Sequence, residues 1–198
     1  GLGDGRELAC ELVSRWIPTY LSWQLPSWRA DFLGRRLTNW LVNFDYLSAG
    51  KGAFETTLLR SAAKQARHLI RIVAHPKDGS QRLQAIKGLI YCGVCLPGFD
   101  AALERGLKRL GREVDQQVLP DGCHFERNPS RHLSVFATLI EIRAALIHGH
   151  VEVPDTLQGA IDRMAPMLRC FRHGDGKLAL FNGASEEDDA FIDLALRE

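Results

Sequence analysis

Residues 119–149, LPDGCHFERNPSRHLSVFATLIEIRAALIHG, place a turn, a polar loop and the start of a long helix next to one another. Asp121-Gly122 is turn chemistry, because glycine accepts the positive φ that many turns require. Asn128-Pro129 is typical of a helix start, since the amide oxygen can accept from a backbone N–H and proline has no N–H to leave unpaired. The loop and first helical turn gather Cys123, His124, Glu126, Arg127, Arg131 and His132. A polar loop between helices is the simpler interpretation of this cluster.

The composition is that of an ordinary globular domain. A chain of 198 residues can bury one real core, and a formal net charge of +1 gives no general attraction to nucleic acid or to an anionic membrane. No apolar run reaches the roughly 18 residues of a membrane span. The start, GLGDGRELAC, lacks the apolar core of a signal peptide. We therefore predict neither a nucleic-acid partner nor a membrane partner.

The five cysteines are odd in number and irregularly spaced, which argues against a disulfide framework. Cys92 and Cys95 have the spacing of a redox or zinc pair, but they lie inside the apolar run LIYCGVCLPG and no second such pair exists. Cysteines buried in the core are the favoured interpretation. We predict no metal and no cofactor.

Helical periodicity dominates the rest of the chain and predicts an all-α fold of about seven helices with almost no strand. The alternation of amphipathic and more apolar helices fits an α/α toroid as well as a plain bundle. HPKDGS (75–80) predicts a turn, and residues 177–181 predict a short extended piece. The predicted helices cover residues 5–20, 28–48, 53–74, 81–96, 99–118, 130–148 and 155–172.

The turn, the loop and the helix start share a longer pattern, D-G-x-x-x-E-R-x-P-x-x-H, formed by Asp121, Gly122, Glu126, Arg127, Pro129 and His132. This pattern resembles a motif of the heparinase II/III-like polysaccharide lyases. Four further segments are similar to helices of that family, the last three to its alphaproteobacterial branch: WIPTYLSWQLPSWRADFLGRRLTNWL (16–41), LLRSAAKQARHL (58–69), IYCGVCLPGFDAAL (90–103) and IDRMAPMLRCFRHGDGKLALFNG (161–183). The resemblance covers essentially the whole chain and is specific as a set.

The resemblance implies an incomplete α/α toroid followed by a large β-sandwich domain. This sequence has none of the alternating strands of a sandwich, so we expect residues 1–198 to be the helical domain alone, without its C-terminal β-sandwich partner. We expect this domain in isolation to be inactive, because a cleft between two domains loses one wall when one of them is absent. The resemblance also implies a bacterial protein, and its compartment stays open between periplasm and cytoplasm.

The chemistry that the resemblance implies is β-elimination at a uronic acid of a heparin-like or heparan-like polysaccharide. One group neutralises the uronate carboxylate, a base (commonly Tyr or His) removes the C5 proton, and an acid protonates the O4 leaving group. The predicted catalytic residues are His132, Arg127 and Glu126. A single structural hydrogen bond explains His132 equally well, and Glu126 fits an organiser of the loop better than the base.

An acidic polysaccharide is therefore the predicted partner. Aromatic faces stack on sugar rings, while arginines hold the acidic groups. The predicted substrate-binding residues are Arg131, His124, Trp23 and Trp28. Core packing is the default interpretation of most aromatic residues in the first quarter of the chain, and one or two near 20–28 are expected to face a cleft.

Two departures from the family pattern favour an alternative function. Active members carry Tyr directly before the motif histidine, where this chain has Arg131, and an Asn-His pair where it has Ser80 and Gln81. Either the acid/base set has been rebuilt, or the toroid is a carbohydrate-binding or scaffold domain that does not cleave. A helical interaction module is a third interpretation, which requires an exposed apolar groove and no polar cleft around 121–132.

Overall fold

The computed structural model describes residues 2–48, 52–74 and 79–197, and over these ranges the chain is built from α-helices. The only β-type pairings there are two isolated bridges, Val118 with His124 and Arg172 with Leu178. The all-α prediction is confirmed, and the predicted extended piece is reduced to the second bridge. The helices of the described ranges are α1 (Leu2–Thr19), α2 (Ala30–Val42), α3 (Phe44–Ser48), α4 (Gly52–Ile72), α5 (Gly79–Cys95), α6 (Asp100–Gln117), α7 (Pro129–His148), α8 (Asp155–Cys170) and α9 (Asp189–Arg197).

The helix predicted over 28–48 is divided at Asn43. The backbone N–H of Asn43 still bonds to the Asn39 carbonyl, and the Asn43 side chain donates to that same carbonyl at 2.9 Å. Asparagine competes in this way with a continuing helix for backbone partners. The predicted end at Gly50 and residues 75–78 of the predicted turn lie outside the described residues.

The chain divides into two units, Gly1–Gly106 and Leu107–Glu198, with the boundary inside α6. In the first unit, α2 packs against α5 and α4, and α1 packs against α3 and α4. Residues 83–90 of α5 are buried without interruption. A helix buried on all sides is what its uniformly apolar sequence predicted.

Helices α2 and α5 meet at two glycines. A Cβ on Gly34 would collide with the backbone carbonyl of Gln84, and a Cβ on Gly88 would collide with the Cα of Gly34. The two backbones are therefore in direct contact, an approach that only glycine permits. This contact fixes the position of α2 within the first unit.

In the second unit, α7 packs against α8 and α9. The helix begins as predicted, because the Asn128 side chain accepts from the Arg131 N–H at 2.8 Å and Pro129 occupies the first turn. Its apolar side chains, Leu133, Phe136, Leu139, Ile142 and Leu146, are buried. The polar loop before α7 is thus attached to the best-buried helix of this unit.

Candidate functional site

The motif loop, residues 119–132, turns tightly before α7. The Gly122 N–H donates to the Leu119 carbonyl at 2.8 Å, and Gly122 has φ +82°. A Cβ at Gly122 would also collide with the backbone carbonyl of Arg163. Glycine is therefore required here both for its conformation and for the close approach of α8.

The exposed charges of the motif loop are paired with one another. Arg127 donates to Asp121 at 2.6 Å, and Arg131 donates to Glu126 at 3.4 Å. The backbone N–H of Cys123, followed by the Arg127 guanidinium, holds the pKa of Asp121 below its usual value. The two arginines expected to converge on a substrate carboxylate thus each face an acid of the loop.

Amide and hydroxyl side chains tie the loop to residues 182–185. Asn128 donates to the Asn182 carbonyl, and Asn182 donates in return to the Arg127 carbonyl, both at 2.9 Å. The Ser130 hydroxyl donates to the Ser185 carbonyl and accepts from the Ser185 N–H, both at 3.0 Å. These reciprocal bonds give the polar residues around the helix start a structural role.

Beneath the loop, polar groups form a buried chain of hydrogen bonds. Gln117 donates to Glu113 at 2.8 Å, and its amide oxygen lies 3.2 Å from Nε2 of His124. The His124 backbone N–H donates to Nδ1 of His132 at 3.3 Å, and Nε2 of His132 lies 3.0 Å from the Met164 carbonyl. Because a carbonyl only accepts and an N–H only donates, His132 is the neutral ring with its proton on Nε2.

Both histidines are fully buried. Burial lowers the pKa of His132 below its ordinary value, and the bond to the Met164 carbonyl opposes this effect in part. No atom of the His124 ring is accessible, which corrects the prediction that His124 binds substrate. For His132, the two bonds support the structural interpretation that the sequence left open.

The two predicted sugar platforms differ in exposure. Trp23 is 61% exposed, whereas Trp28 is 3% exposed. The Trp28 indole donates to the Tyr20 carbonyl at 3.1 Å, and its ring lies edge-to-face with His68. Burial removes the open face that a sugar would need, so the prediction for Trp28 is corrected to core packing. The substrate roles of Trp23, Arg127, Glu126 and Arg131 stay predictions.

Cys92 is buried as predicted, whereas the prediction of burial is wrong for Cys95, which is exposed. Of the other cysteines, Cys10 and Cys123 are buried and Cys170 is exposed. Burial raises the pKa of Cys92 to about 12, so this thiol stays protonated and packs as an apolar group. Over the described ranges, no three His, Cys, Asp or Glu side chains are grouped so that they could hold a metal ion. None of the helices there meets the length and apolarity that a membrane span requires.

Sequence reasoning missed the partners of the buried histidines. Gln117 and Glu113 lie one turn apart on α6, a spacing that could have signalled their contact. The Met164 carbonyl is a backbone group 32 residues from His132, and it has no signal in the sequence.

The helical architecture is shared with a solved structure. A crystal structure of heparinase III superimposes with a TM-score of 0.77 at 17% identity, over 92% of this chain and 30% of that chain. This likeness concerns the fold. It defines the class as an all-α, toroid-type domain.

The chain belongs to the family described as Heparinase II/III N-terminus, whose sequence model matches residues 20–198. It is also similar to FtsZ-localized protein C of Caulobacter vibrioides (strain NA1000 / CB15N), with 31% identity over 194 residues. That match covers 98% of this chain and 34% of the relative. The chain therefore spans about a third of the length of each protein that it matches here.

Proposed function

We propose that this chain is a non-catalytic domain that binds acidic polysaccharide. The observation that carries the proposal is the position of His132, whose ring is buried and whose two nitrogens both bond within the fold. A general base must lie within about 3 Å of the proton that it removes, or reach it through one water. A histidine enclosed in this way supports a structural role.

The charged residues around His132 support the same conclusion. Arg131 stands where the family resemblance implies Tyr, and it is paired with Glu126. Arg127, the other candidate for neutralising a uronate carboxylate, is paired with Asp121. Each of these arginines already has an acidic partner within the loop, which supports a structural role for them at the start of α7.

Cleavage of a heparin-like or heparan-like polysaccharide by β-elimination is the competing function, and family membership is what favours it. In that function His132 would have to leave both of its hydrogen bonds to meet a substrate. The rest of the acid/base set would have to come from another part of a longer protein, such as the β-sandwich domain that the resemblance implies.

A direct assay separates binding from cleavage. The 198-residue chain, alone and joined to a following β-sandwich domain, is incubated with a panel of uronate polysaccharides. Affinity electrophoresis measures binding, and ultraviolet absorbance follows the C4–C5 double bond that a lyase creates. We expect retardation by at least one acidic polysaccharide and no rise in absorbance.

Two variants make this assay decisive. Arg131→Tyr restores the residue type that the resemblance implies, and we expect it to remain inactive because His132 stays enclosed. A rise in absorbance with the native chain that His132→Ala abolishes would contradict the proposal and establish a lyase.

A second candidate function comes from the relative that matches 98% of this chain. Its name describes localisation with FtsZ and no enzymatic activity, which favours a domain of an FtsZ-localised protein. To test this, the matching segment of the relative is exchanged for this chain in Caulobacter vibrioides, with a fluorescent label. Retained co-localisation with FtsZ supports this candidate, and a diffuse label counts against it.

A further inference from the structure

An open pocket of about 440 Å³ lies on the first unit, along one face of α2. The positions that α2 contributes are spaced by three or four residues, so they fall on neighbouring turns of one helix face. The connector before the helix adds the remaining wall. The lining residues are Pro26, Ser27, Phe32, Arg35, Arg36, Asn39 and Trp40.

Among the described residues, Arg36 has no anionic partner. Its Nε donates to the Gln65 amide oxygen at 2.6 Å, and one terminal amino group donates to the Ser27 carbonyl at 3.0 Å. The other terminal amino group is buried and has no hydrogen-bond partner. The guanidinium lies 4.0 Å from the centre of the Trp16 ring. None of these neighbours is a carboxylate, so the charge faces an aromatic ring and neutral dipoles but no counter-ion among them.

Burial lowers the pKa of Arg36 to about 10, which still leaves the side chain charged at neutral pH. A buried polar group without a partner costs free energy, and natural folds rarely retain one without a reason. An anion placed in the pocket would lower the electrostatic part of that cost.

The rim of the pocket supplies groups that can contact a ligand directly. Arg35 is exposed and makes no ion pair with the described residues, and Asn39 is exposed one turn further along α2. Phe32 is 40% exposed, and the Arg29 guanidinium lies 4.9 Å from the centre of its ring. The site therefore combines the exposed cation of Arg35, the amide of Asn39 and the partly exposed ring of Phe32 with the partly buried cation of Arg36.

We propose that this pocket binds a carboxylate-bearing sugar residue of an acidic polysaccharide. The carboxylate bonds to Arg35 and compensates the charge of Arg36, the hydroxyl groups bond to the Asn39 amide, and the apolar side of the sugar ring contacts Phe32. This inference rests on the proposed binding function. It places the binding site on α2, whereas the sequence pattern predicted binding residues in the motif loop.

A sugar fits these residues better than an acidic peptide does. Most peptides are recognised along a strand edge, in a long apolar groove or on an aromatic track for proline-rich segments, and acidic motifs are recognised by clusters of arginines, so the test below includes an acidic peptide. The described residues form no sheet, and four of the seven residues that line the pocket are polar. Mixed donors and acceptors beside one aromatic ring suit the hydroxyl groups of a single sugar.

The test uses an oligoglucuronate and the same oligosaccharide with its carboxylates reduced to alcohols, each titrated into the full 198-residue chain by calorimetry. We expect the reduced form to bind at least about tenfold more weakly, since a charged hydrogen bond is lost. Arg35→Gln, which replaces an exposed side chain, should weaken binding of the acidic form by about tenfold. Arg36→Gln should show a loss of similar size.

Arg15→Gln is the matched control, because Arg15 is an exposed arginine of the same unit that does not line the pocket. It should bind like the native chain. If Arg35→Gln and Arg36→Gln both bind like the native chain, the ligand does not bind in this pocket, although the proposed binding function stands. No binding by the native chain would overturn the binding function itself. A third outcome is that the native chain binds poly-L-glutamate but not oligoglucuronate, and that Arg35→Gln abolishes this binding. It would contradict the proposal that the ligand is a sugar and assign the pocket to an acidic peptide.

Discussion

The motif loop of the second unit and the α2 pocket of the first unit each contain two arginines, but the partners of those arginines differ. In the loop, Arg127 and Arg131 each pair with an acid, and the buried histidines bond within the fold. In the pocket, the hydrogen-bond partners of Arg36 among the described residues are neutral, and one of its terminal amino groups has none there. In the loop that resembles a catalytic motif, each arginine pairs with an acid of the same loop. The arginine that lacks such a pair among the described residues is Arg36 of the α2 pocket.

This difference shows that residue types alone do not identify a binding site. The hydrogen bonds of a cluster of His, Glu and Arg side chains can serve to hold a loop in place. A ligand site needs donors, acceptors or charges that the fold leaves without a partner. Such groups can be identified only when the partners of each group are known.

The largest effect is expected where the loop depends on backbone geometry. Gly122→Ala should lower the free energy of unfolding by about 3 kcal/mol or more, because the new Cβ strains a positive φ and collides with the Arg163 carbonyl. Chemical denaturation measures the loss. Gly174→Ala is the control, since no atom lies within 4 Å of its added Cβ, and it should change stability by less than about 0.5 kcal/mol. Equal losses in the two variants would mean that the loop is not a fixed structure.

A smaller effect is expected from the titration of His132. Its pKa is lowered in the folded chain, so the unfolded chain takes up a proton first as the pH falls. The stability contributed by the neutral ring is present above about pH 6.5, the ordinary histidine pKa, and is lost as the pH decreases below it. Unfolding free energies measured from pH 8 downward should therefore fall, and should fall less steeply in His132→Gln.

His173→Gln serves as the control for this titration, because His173 is exposed. It should keep the native slope. A residual slope is expected in His132→Gln, since burial and the charge of Arg71 also lower the pKa of His68. If His132→Gln and the native chain share one pH profile, the ring of His132 is not enclosed as described.

The smallest effect on stability is expected in the pocket. Arg36→Met loses the bonds to Gln65 and Ser27, but it also removes a buried charge that has no counter-ion. The two contributions oppose each other, so the free energy of unfolding should change by less than about 1 kcal/mol. Thermal and chemical denaturation both measure it. A loss of about 3 kcal/mol would show that Arg36 is a structural residue and would weaken the contrast between the two regions.

The local features of both regions were accessible from the sequence. Helix periodicity placed α7, and the preferences of Asn128 and Pro129 predicted where it begins, because these signals act over a few residues. The division of one predicted helix at Asn43 was missed, since helical periodicity continues across that residue.

The chemistry of the sites was much less predictable. Whether His132 is a reactive or a structural group depends on the Met164 carbonyl, which belongs to a different helix. The partners of Arg36 are likewise distant in the chain: the neutral groups of Gln65 and Ser27 lie 29 and 9 residues away. Hydrogen-bond partners that are distant in the chain leave no local pattern.

The glycine contact between α2 and α5 has a consequence for the kinetics of recognition. Because the two backbones touch at Gly34 and Gly88, the α2 backbone that carries the pocket arginines is packed directly on α5 before a ligand arrives. Little backbone entropy of α2 is then left to lose on association, which favours affinity for a ligand as small as one sugar. Encounter would be governed by diffusion and charge, with a rate that falls as salt is added and no slow isomerisation step.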